Sequence, residues 1–262
     1  MKIVAPCALT IAGSDSGGNA GVQADLRAFH AYGLHGCTVF AALTAQNPFG
    51  VRAIHPVPID FVDSELTEVQ GVLDIRALKT GMLATPALVS AVAAKLKAYP
   101  KIAKVIDPVM IATSGARLIE DKAVQALEAE LLPQAAIMTP NLMEARFLAK
   151  RETDDAEELA RALCGKYGVP VLVKGGHGQG GTSVDVLFDG REVLSCAAPR
   201  IENPVSTHGT GCSLAAALAA ELALGADLAA AVKGAKEYVY NAIKDSYWVG
   251  KNCGVLGFHR MR

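Results

Sequence analysis

Short segments rich in valine, isoleucine and leucine alternate along the chain with longer stretches whose apolar residues recur every three or four positions. The short segments read as buried strands, near 7–12, 37–44, 75–79, 103–107, 135–138 and 170–174. The longer ones read as helices between them, near 20–32, 58–73, 85–98, 120–131, 142–149 and 155–167. Within the first helix Val22, Leu26 and Phe29 fall at helical spacing, with Gln23, Asp25 and Arg27 between them. This alternation is the signature of βαβ units and predicts an α/β chain with a mostly parallel central sheet covered on both faces. Val184 to Phe188 and Val193 to Cys196 flank Asp189-Gly190, a strong turn signal, and predict a hairpin closing one edge of the sheet. Two further helices are expected near 211–224 and 227–245, followed by irregular chain from Trp248 to Arg262. No repeat, low-complexity tract or Pro/Ser-rich linker divides residues 1–262, so one domain is expected.

Composition narrows the function. The chain has 262 residues, 51% of them hydrophobic, yet no uninterrupted apolar stretch approaches the roughly 18 to 20 residues of a membrane span. The first residues enter an apolar segment that ends in Gly13-Ser14-Asp15 and carry no signal-peptide cleavage pattern, so a cytoplasmic location without a membrane partner is expected. The six cysteines are scattered without a CxxC pair, which argues against a zinc site and a disulfide framework. With 25 basic and 26 acidic residues and no long basic run, the electrostatic footprint of nucleic-acid binding is missing. A small-molecule partner is expected.

Several stretches could carry chemistry. Ser206-Thr207-His208-Gly209-Thr210-Gly211-Cys212-Ser213 runs straight into an alanine-rich helical segment. A glycine-punctuated turn opening a helix presents unpartnered amides to an anion, and a thiol there tends to have a lowered pKa and could take a proton from a hydroxyl. The bland alternative is a capped turn with a buried cysteine. Gly13-Ser14-Asp15-Ser16-Gly17-Gly18-Asn19-Ala20-Gly21 follows the first strand and is too glycine-rich for a simple connection; it is either a loop that meets a ligand or a surface turn. A formal G-x-G-x-x-G at 176–181 precedes a strand rather than a helix and is discounted as a dinucleotide fingerprint. Asp107-Pro108 ends the fourth strand, and Asn141-Leu142-Met143-Glu144 follows the fifth. These groups could hold Mg²⁺ through water, or Asn141 and Glu144 could simply form a helix capping box. Lys174, ending a strand before paired glycines, could reach a nucleotide phosphate or lie along the surface. His208 fits a turn residue as well as an actor.

These stretches, taken in order, carry a resemblance. Leu9-Thr10-Ile11-Ala12-Gly13-Ser14-Asp15, Gly21-Val22-Gln23-Ala24-Asp25-Leu26, Ala42-Leu43-Thr44-Ala45-Gln46-Asn47, Lys79-Thr80-Gly81-Met82-Leu83, Asp107-Pro108-Val109-Met110, Thr139-Pro140-Asn141 with Glu144, Val173-Lys174-Gly175-Gly176-His177 and Thr207-His208-Gly209-Thr210-Gly211-Cys212 span nearly the whole chain. It resembles the hydroxymethylpyrimidine/phosphomethylpyrimidine kinases of thiamine biosynthesis, a branch of the ribokinase-like superfamily close to the pyridoxal kinases.

The resemblance implies a three-layer α/β/α sandwich that uses ATP and Mg²⁺ to phosphorylate the pyrimidine's hydroxymethyl group and then the monophosphate. Matched by position, Gln46 would hydrogen-bond the pyrimidine edge and Asp25 would help hold the substrate, with Gly13, Ala20, Met82 and Val109 lining its pocket. Gly209, Thr210, Gly211 and Cys212 would form the anion hole, with Cys212 as base; Asn141 and Lys174 would face ATP; Asp107 and Glu144 would act on Mg²⁺. Sugar kinases of the superfamily usually carry Asp where Cys212 stands, which points to the pyrimidine and pyridoxal branch. Two departures stand out: Asn19 replaces a small residue, commonly glycine, and the tail from Gly250 lacks the usual histidine-rich ending. A homodimer is expected, as is a lid that excludes water. The rivals are a pyridoxal kinase and a non-catalytic ligand-binding protein on the same fold.

Overall fold

A computed structural model of the chain describes residues 5–110, 120–175 and 181–258. The elements run β1 (Cys7–Gly13), α1 (Gly21–Ala31), β2 (His35–Asn47), β3 (Gly50–Pro56), α2 (Ile59–Val72), β4 (Ile75–Thr80), α3 (Pro86–Leu96), β5 (Ala103–Ile106), α4 (Asp121–Ala126), β6 (Ile137–Met138), α5 (Leu142–Ala149), α6 (Ala156–Tyr167), β7 (Val171–Val173), β8 (Thr182–Phe188), β9 (Val193–Pro199), α7 (Thr210–Ala223), α8 (Leu228–Lys244), β10 (Tyr247–Gly250) and β11 (Cys253–Val255). Among the described residues the main sheet has nine strands in the order β3-β2-β1-β4-β5-β6-β7-β8-β9. The pairs from β2 through β7 are parallel, while β3 and the β8–β9 hairpin close the two edges antiparallel.

Alternating side chains of each strand feed two cores. Leu9, Ile11, Leu78, Ile106 and Met138 pack with α2 to α6 on one face; Ala8, Ala77, Val105, Ile137 and Leu172 pack with α1, α7 and α8 on the other. Because both faces are covered, the central strands read as continuous apolar runs, and that is why they were legible in the sequence. Helix α7 is buried from Ser213 through Ala220, and its small side chains let it lie close to the sheet, α1 and α8.

The structure corrects four expectations. The second strand is longer than 37–44, reaching Asn47, and it turns into a strand that was not foreseen, β3; every residue of β3 is exposed, so the chain there lacks a buried stripe to announce it. The turn is carried by Asn47, whose side-chain oxygen accepts from the Phe49 amide at 2.8 Å. The helix expected over 120–131 is α4 followed by a wider π turn over Leu127–Leu131. The tail from Tyr247 is not irregular: β10 and β11 form a hairpin whose turn places Asn252 at φ 59, a left-handed conformation that asparagine tolerates. The discounted motif at 176–181 lies outside the described residues except for Gly181. No helix among the described residues is long and apolar enough to cross a membrane.

Candidate active site

Strands β1, β4, β5, β6 and β7 all end at one edge of the parallel sheet, where the following loops gather. After β1 the glycine-rich loop folds around Asp15. Its carboxylate accepts the backbone N–H of Gly17 (2.8 Å), Asn19 (3.0 Å) and Ala20 (2.8 Å) and lies 3.6 Å from His208 Nε2. Burial opposes that charge, but these partners outweigh it and hold Asp15 far below the usual carboxylate range. The loop is therefore an ordered wall rather than a loose surface turn.

Across from it, Gly209 caps α7 at φ 89 without a side-chain cap. A Cβ there would lie 1.8 Å from the Asn19 carbonyl, so only glycine lets the two loops meet. Thr210 turns back on the loop, its hydroxyl donating to the Thr207 carbonyl at 3.0 Å. The amides of Gly211 and Cys212 have no partner among the described residues. Gly211 itself lies beside Lys174 and Asp107, whose Nζ and Oδ2 would be 3.6 and 3.9 Å from a Cβ placed on it. Cys212 is half-buried, and burial pushes its thiol up rather than down, with Asp25 and Asp107 adding to the rise while Lys79 and the Gly21 amide oppose it. This corrects the expectation of a lowered pKa: the helix terminus is present, but desolvation exceeds it.

At the cavity wall, Lys79 Nζ bonds both oxygens of Asp25 at 2.9 and 3.1 Å, and Thr10 donates to Asp25 at 2.6 Å. Both charged side chains are fully buried. Burial works against charge on Lys79, yet Asp25, Cys212 and Asp107 together hold its pKa above the ordinary value, so the amine is a cation.

A second group of charges joins the ends of β5, β6 and β7. Lys174 Nζ lies 2.8 Å from Asp107 Oδ1, which also accepts from the Thr139 hydroxyl at 3.1 Å. Asn141 and Glu144 form the capping box of α5, at 2.9 and 2.8 Å, and the second Glu144 oxygen accepts the Met110 amide at 3.2 Å. Burial, with Asp107 adding, pushes Glu144 up to about 7 against the pull of Lys174. Burial disfavours the Lys174 cation, but Asp107 and Glu144 raise its pKa on balance.

One cavity of about 510 Å³ joins these groups. Of the residues singled out from the sequence it is lined by Gly13, Ala20, Gln46, Met82, Asp107, Val109, Asn141, Glu144, Lys174, Gly209, Gly211 and Cys212. Gly13 makes room for Met82, whose Cε lies 2.7 Å from where a Cβ would stand. Gln46 is tied to Ser16 through its backbone, at 2.7 and 2.8 Å, and its side-chain amide has no partner among the described residues. Asp25 and Thr210 do not line the cavity; Asp25 lies under it, bonded to Lys79. Sequence reasoning missed Lys79, Asp15 and Phe49. The signal for Lys79 was a lysine beside the carboxyl end of its strand, two residues before Gly81, close to the pattern that singled out Lys174.

Comparisons with known proteins bear on the family and the fold. A family model described as phosphomethylpyrimidine kinase matches residues 15–257. A hydroxymethylpyrimidine/phosphomethylpyrimidine kinase of Rhizobium meliloti is 45% identical over 260 residues, 97% of each chain. Among solved structures, an ADP complex of Bacillus subtilis pyridoxal kinase superposes with a TM-score of 0.89 at 34% identity, covering 96% of this chain and 97% of that one. A phosphomethylpyrimidine kinase of Clostridium difficile superposes with a TM-score of 0.80 at 35% identity, covering 91% and 99%. The α/β/α layers are those of the ribokinase-like fold, and the chain belongs to the phosphomethylpyrimidine kinase family.

Proposed function

We infer that the chain is an ATP-dependent kinase of thiamine biosynthesis. It phosphorylates 4-amino-5-hydroxymethyl-2-methylpyrimidine to the monophosphate and the monophosphate to the diphosphate. The observation that carries this reading is the convergence of Gly211, Cys212, Lys174 and Asp107 on the cavity that also holds Gln46, Met82 and Val109. Phosphoryl transfer depends mainly on positioning and on neutralising charge over the transferred group.

In this reading the free amide of Gln46 pairs with the pyrimidine edge, and Gly13, Ala20, Met82 and Val109 hold the ring. Asp25 serves the acceptor from beneath, through Lys79. The hydroxymethyl O–H gives its proton to the Cys212 sulfur, and the oxygen attacks the γ-phosphorus while the bond to the bridging oxygen of ADP breaks. Gly209 to Cys212 cradle the transferred group, and Lys174 and Asn141 face the nucleotide. Asp107 and Glu144 suit Mg²⁺: they offer carboxylate oxygens at neighbouring strand ends, and Mg²⁺ is typically held by one or two carboxylates, water and substrate phosphates. Bound there, the ion would neutralise charge on the nucleotide phosphates.

In this reading one domain carries the activity and acts in the cytoplasm. The homodimer belongs to the same reading: β3 and its neighbours expose Phe49 (72%), Leu43 (49%) and Val51 (41%) along a sheet edge, an apolar strip suited to a second copy. Pyridoxal is the second candidate acceptor, favoured by the likeness to a pyridoxal kinase. ATP consumption with product mass analysis, offering the pyrimidine alcohol, its monophosphate and pyridoxal separately, tests the reading. Turnover of both pyrimidines is expected. Turnover of pyridoxal alone would shift the acceptor and leave Gln46 without its role, and no turnover would favour a non-catalytic protein.

A further inference from the structure

Strand β8 carries a carboxylate where its alternation calls for an apolar side chain. Leu187 and Cys196 belong to the core on the face that α7 and α8 cover. Asp185, two residues before Leu187 and opposite Cys196 in the ladder, shares that face. It is buried, and a carboxylate in such a place is kept only with partners. Lys236 of α8 supplies one: its Nζ lies 2.9 Å from Asp185 Oδ2 and 3.0 Å from the Ser183 hydroxyl. The other carboxylate oxygen serves a different group. Asp185 Oδ1 accepts the backbone N–H of Gly175 at 2.9 Å.

Gly175 is the residue after Lys174. Strand β7 pairs with β8 up to Val173, opposite Val186, and the same register continued would set Gly175 against Val184. The chains do meet there, since a Cβ on Gly175 would lie 1.7 Å from the Val184 carbonyl oxygen, but the Gly175 amide turns to the Asp185 side chain. On the other side, the amide of Lys174 itself donates to the Pro140 carbonyl at 2.9 Å. The two peptide groups that flank the Lys174 Cα are thus anchored separately, one beyond the end of β6 and one on β8. This fixes the root of a side chain whose four-carbon stem is flexible and whose tip lies 2.8 Å from Asp107.

We propose that Asp185, anchored by Lys236, is a positioning residue for the nucleotide: by holding the Gly175 amide it fixes the backbone that carries Lys174, and so sets where that ammonium meets the phosphates. The proposal rests on reading Lys174 as the lysine that faces ATP. Neither Asp185 nor Lys236 lines the cavity, so their influence reaches the ligand through the chain at Gly175 and Lys174. A role in packing alone would need the two buried charges to be balanced or absent. It would be indifferent to whether the Gly175 amide keeps its acceptor.

Three variants separate charge from acceptor. In Asp185→Asn/Lys236→Met no charge remains at the pair, and the side-chain amide oxygen can still accept from Gly175. In Asp185→Leu/Lys236→Met the volume and neutrality are kept but the acceptor is gone; replacing a buried ion pair by apolar groups of similar volume is often neutral for stability. In Asp185→Asn alone the Lys236 cation draws the amide oxygen and turns the Nδ2 donor toward the Gly175 N–H. Mg·ADP affinity is measured by titration calorimetry, with KM values for ATP and for the pyrimidine alcohol. The first variant is expected within about twofold of the parent. The second and third should bind Mg·ADP about three- to tenfold more weakly, with the KM for ATP rising in step and the KM for the alcohol within about twofold. Adding Lys236→Met to Asp185→Asn should therefore tighten nucleotide binding, which a loss of packing does not explain. If the leucine substitution prevents folding, that reversal decides the question alone. Equal Mg·ADP affinity with and without Lys236→Met beside Asp185→Asn overturns the proposal. Parent-like Mg·ADP affinity in Lys174→Met overturns instead the reading of Lys174 on which it rests.

Discussion

Lys174 Nζ and Asp107 Oδ1 lie 2.8 Å apart although their strands, β7 and β5, are separated in the sheet by β6. The pair spans the ends of three strands and faces Gly211 at the start of α7. A lysine so placed has a carboxylate partner in the free chain and can turn part of its charge to a phosphate when nucleotide enters. In the proposed nucleotide site, Lys174→Met removes that charge and would leave Asp107 and Glu144 facing the phosphates. It is expected to weaken Mg·ADP binding about ten- to hundredfold, the worth of a charge-assisted hydrogen bond, measured by titration calorimetry. An affinity within about twofold of the parent would remove Lys174 from the nucleotide site.

Glu144 gives a pH signature. Its carboxyl is pushed up to about 7 by burial and by Asp107. A raised carboxyl binds more protons in the folded than in the unfolded chain, so its contribution is fully present below the unfolded value and is lost as pH rises through about 7. Denaturant unfolding of the free chain should therefore show stability falling over that window, and Glu144→Gln should flatten the slope. A divalent cation favours the ionised form, so Mg·ADP affinity should rise as pH passes through about 7 and lose this dependence in Glu144→Gln.

Asp15 runs the other way. Held far below its ordinary value, it contributes stability above the unfolded pKa, and loses it only as pH falls well below that. Asp15→Asn cannot accept all three backbone amides and should cost about 1–3 kcal/mol near neutrality by urea unfolding. The difference from the parent should shrink in strong acid. A constant difference would mean that the loop does not depend on the carboxylate's charge.

Gly209→Ala places a Cβ at a left-handed residue and against the Asn19 carbonyl. The melting temperature should fall by several degrees, on the order of the 1–3 kcal/mol of backbone strain, and both phosphoryl steps should slow together because the turn opens.

Much of this architecture was legible in the sequence, for a physical reason. Central strands such as Ile75–Thr80 are buried on both faces and announce themselves as apolar runs, and a ligand-binding α/β sheet puts its chemistry at their carboxyl ends. Asp107, Lys174 and Gly209 to Cys212 could therefore be named beforehand. Exposed elements such as β3 have no buried stripe and left no such trace. Asn141 and Glu144 left two readings open, and the structure shows the capping box made by residues that also line the cavity. The sequence could not show that Asp25 lies under the cavity, because its position depends on a contact with Lys79, 54 residues away. Nor could it show the sign of the Cys212 shift, since helix position is a local property and desolvation is a tertiary one.

The measurement that bears most directly on the account is the effect of Cys212→Ala on the two phosphorylation steps, assayed separately with the alcohol and the monophosphate as acceptors. The alcohol must lose a proton to attack, whereas a phosphate monoester with a second pKa of about 6 is already ionised at neutral pH. The alcohol step is expected to fall about 10²- to 10⁴-fold and the monophosphate step far less. Equal losses in both steps would contradict the assignment of Cys212 as the base for the alcohol.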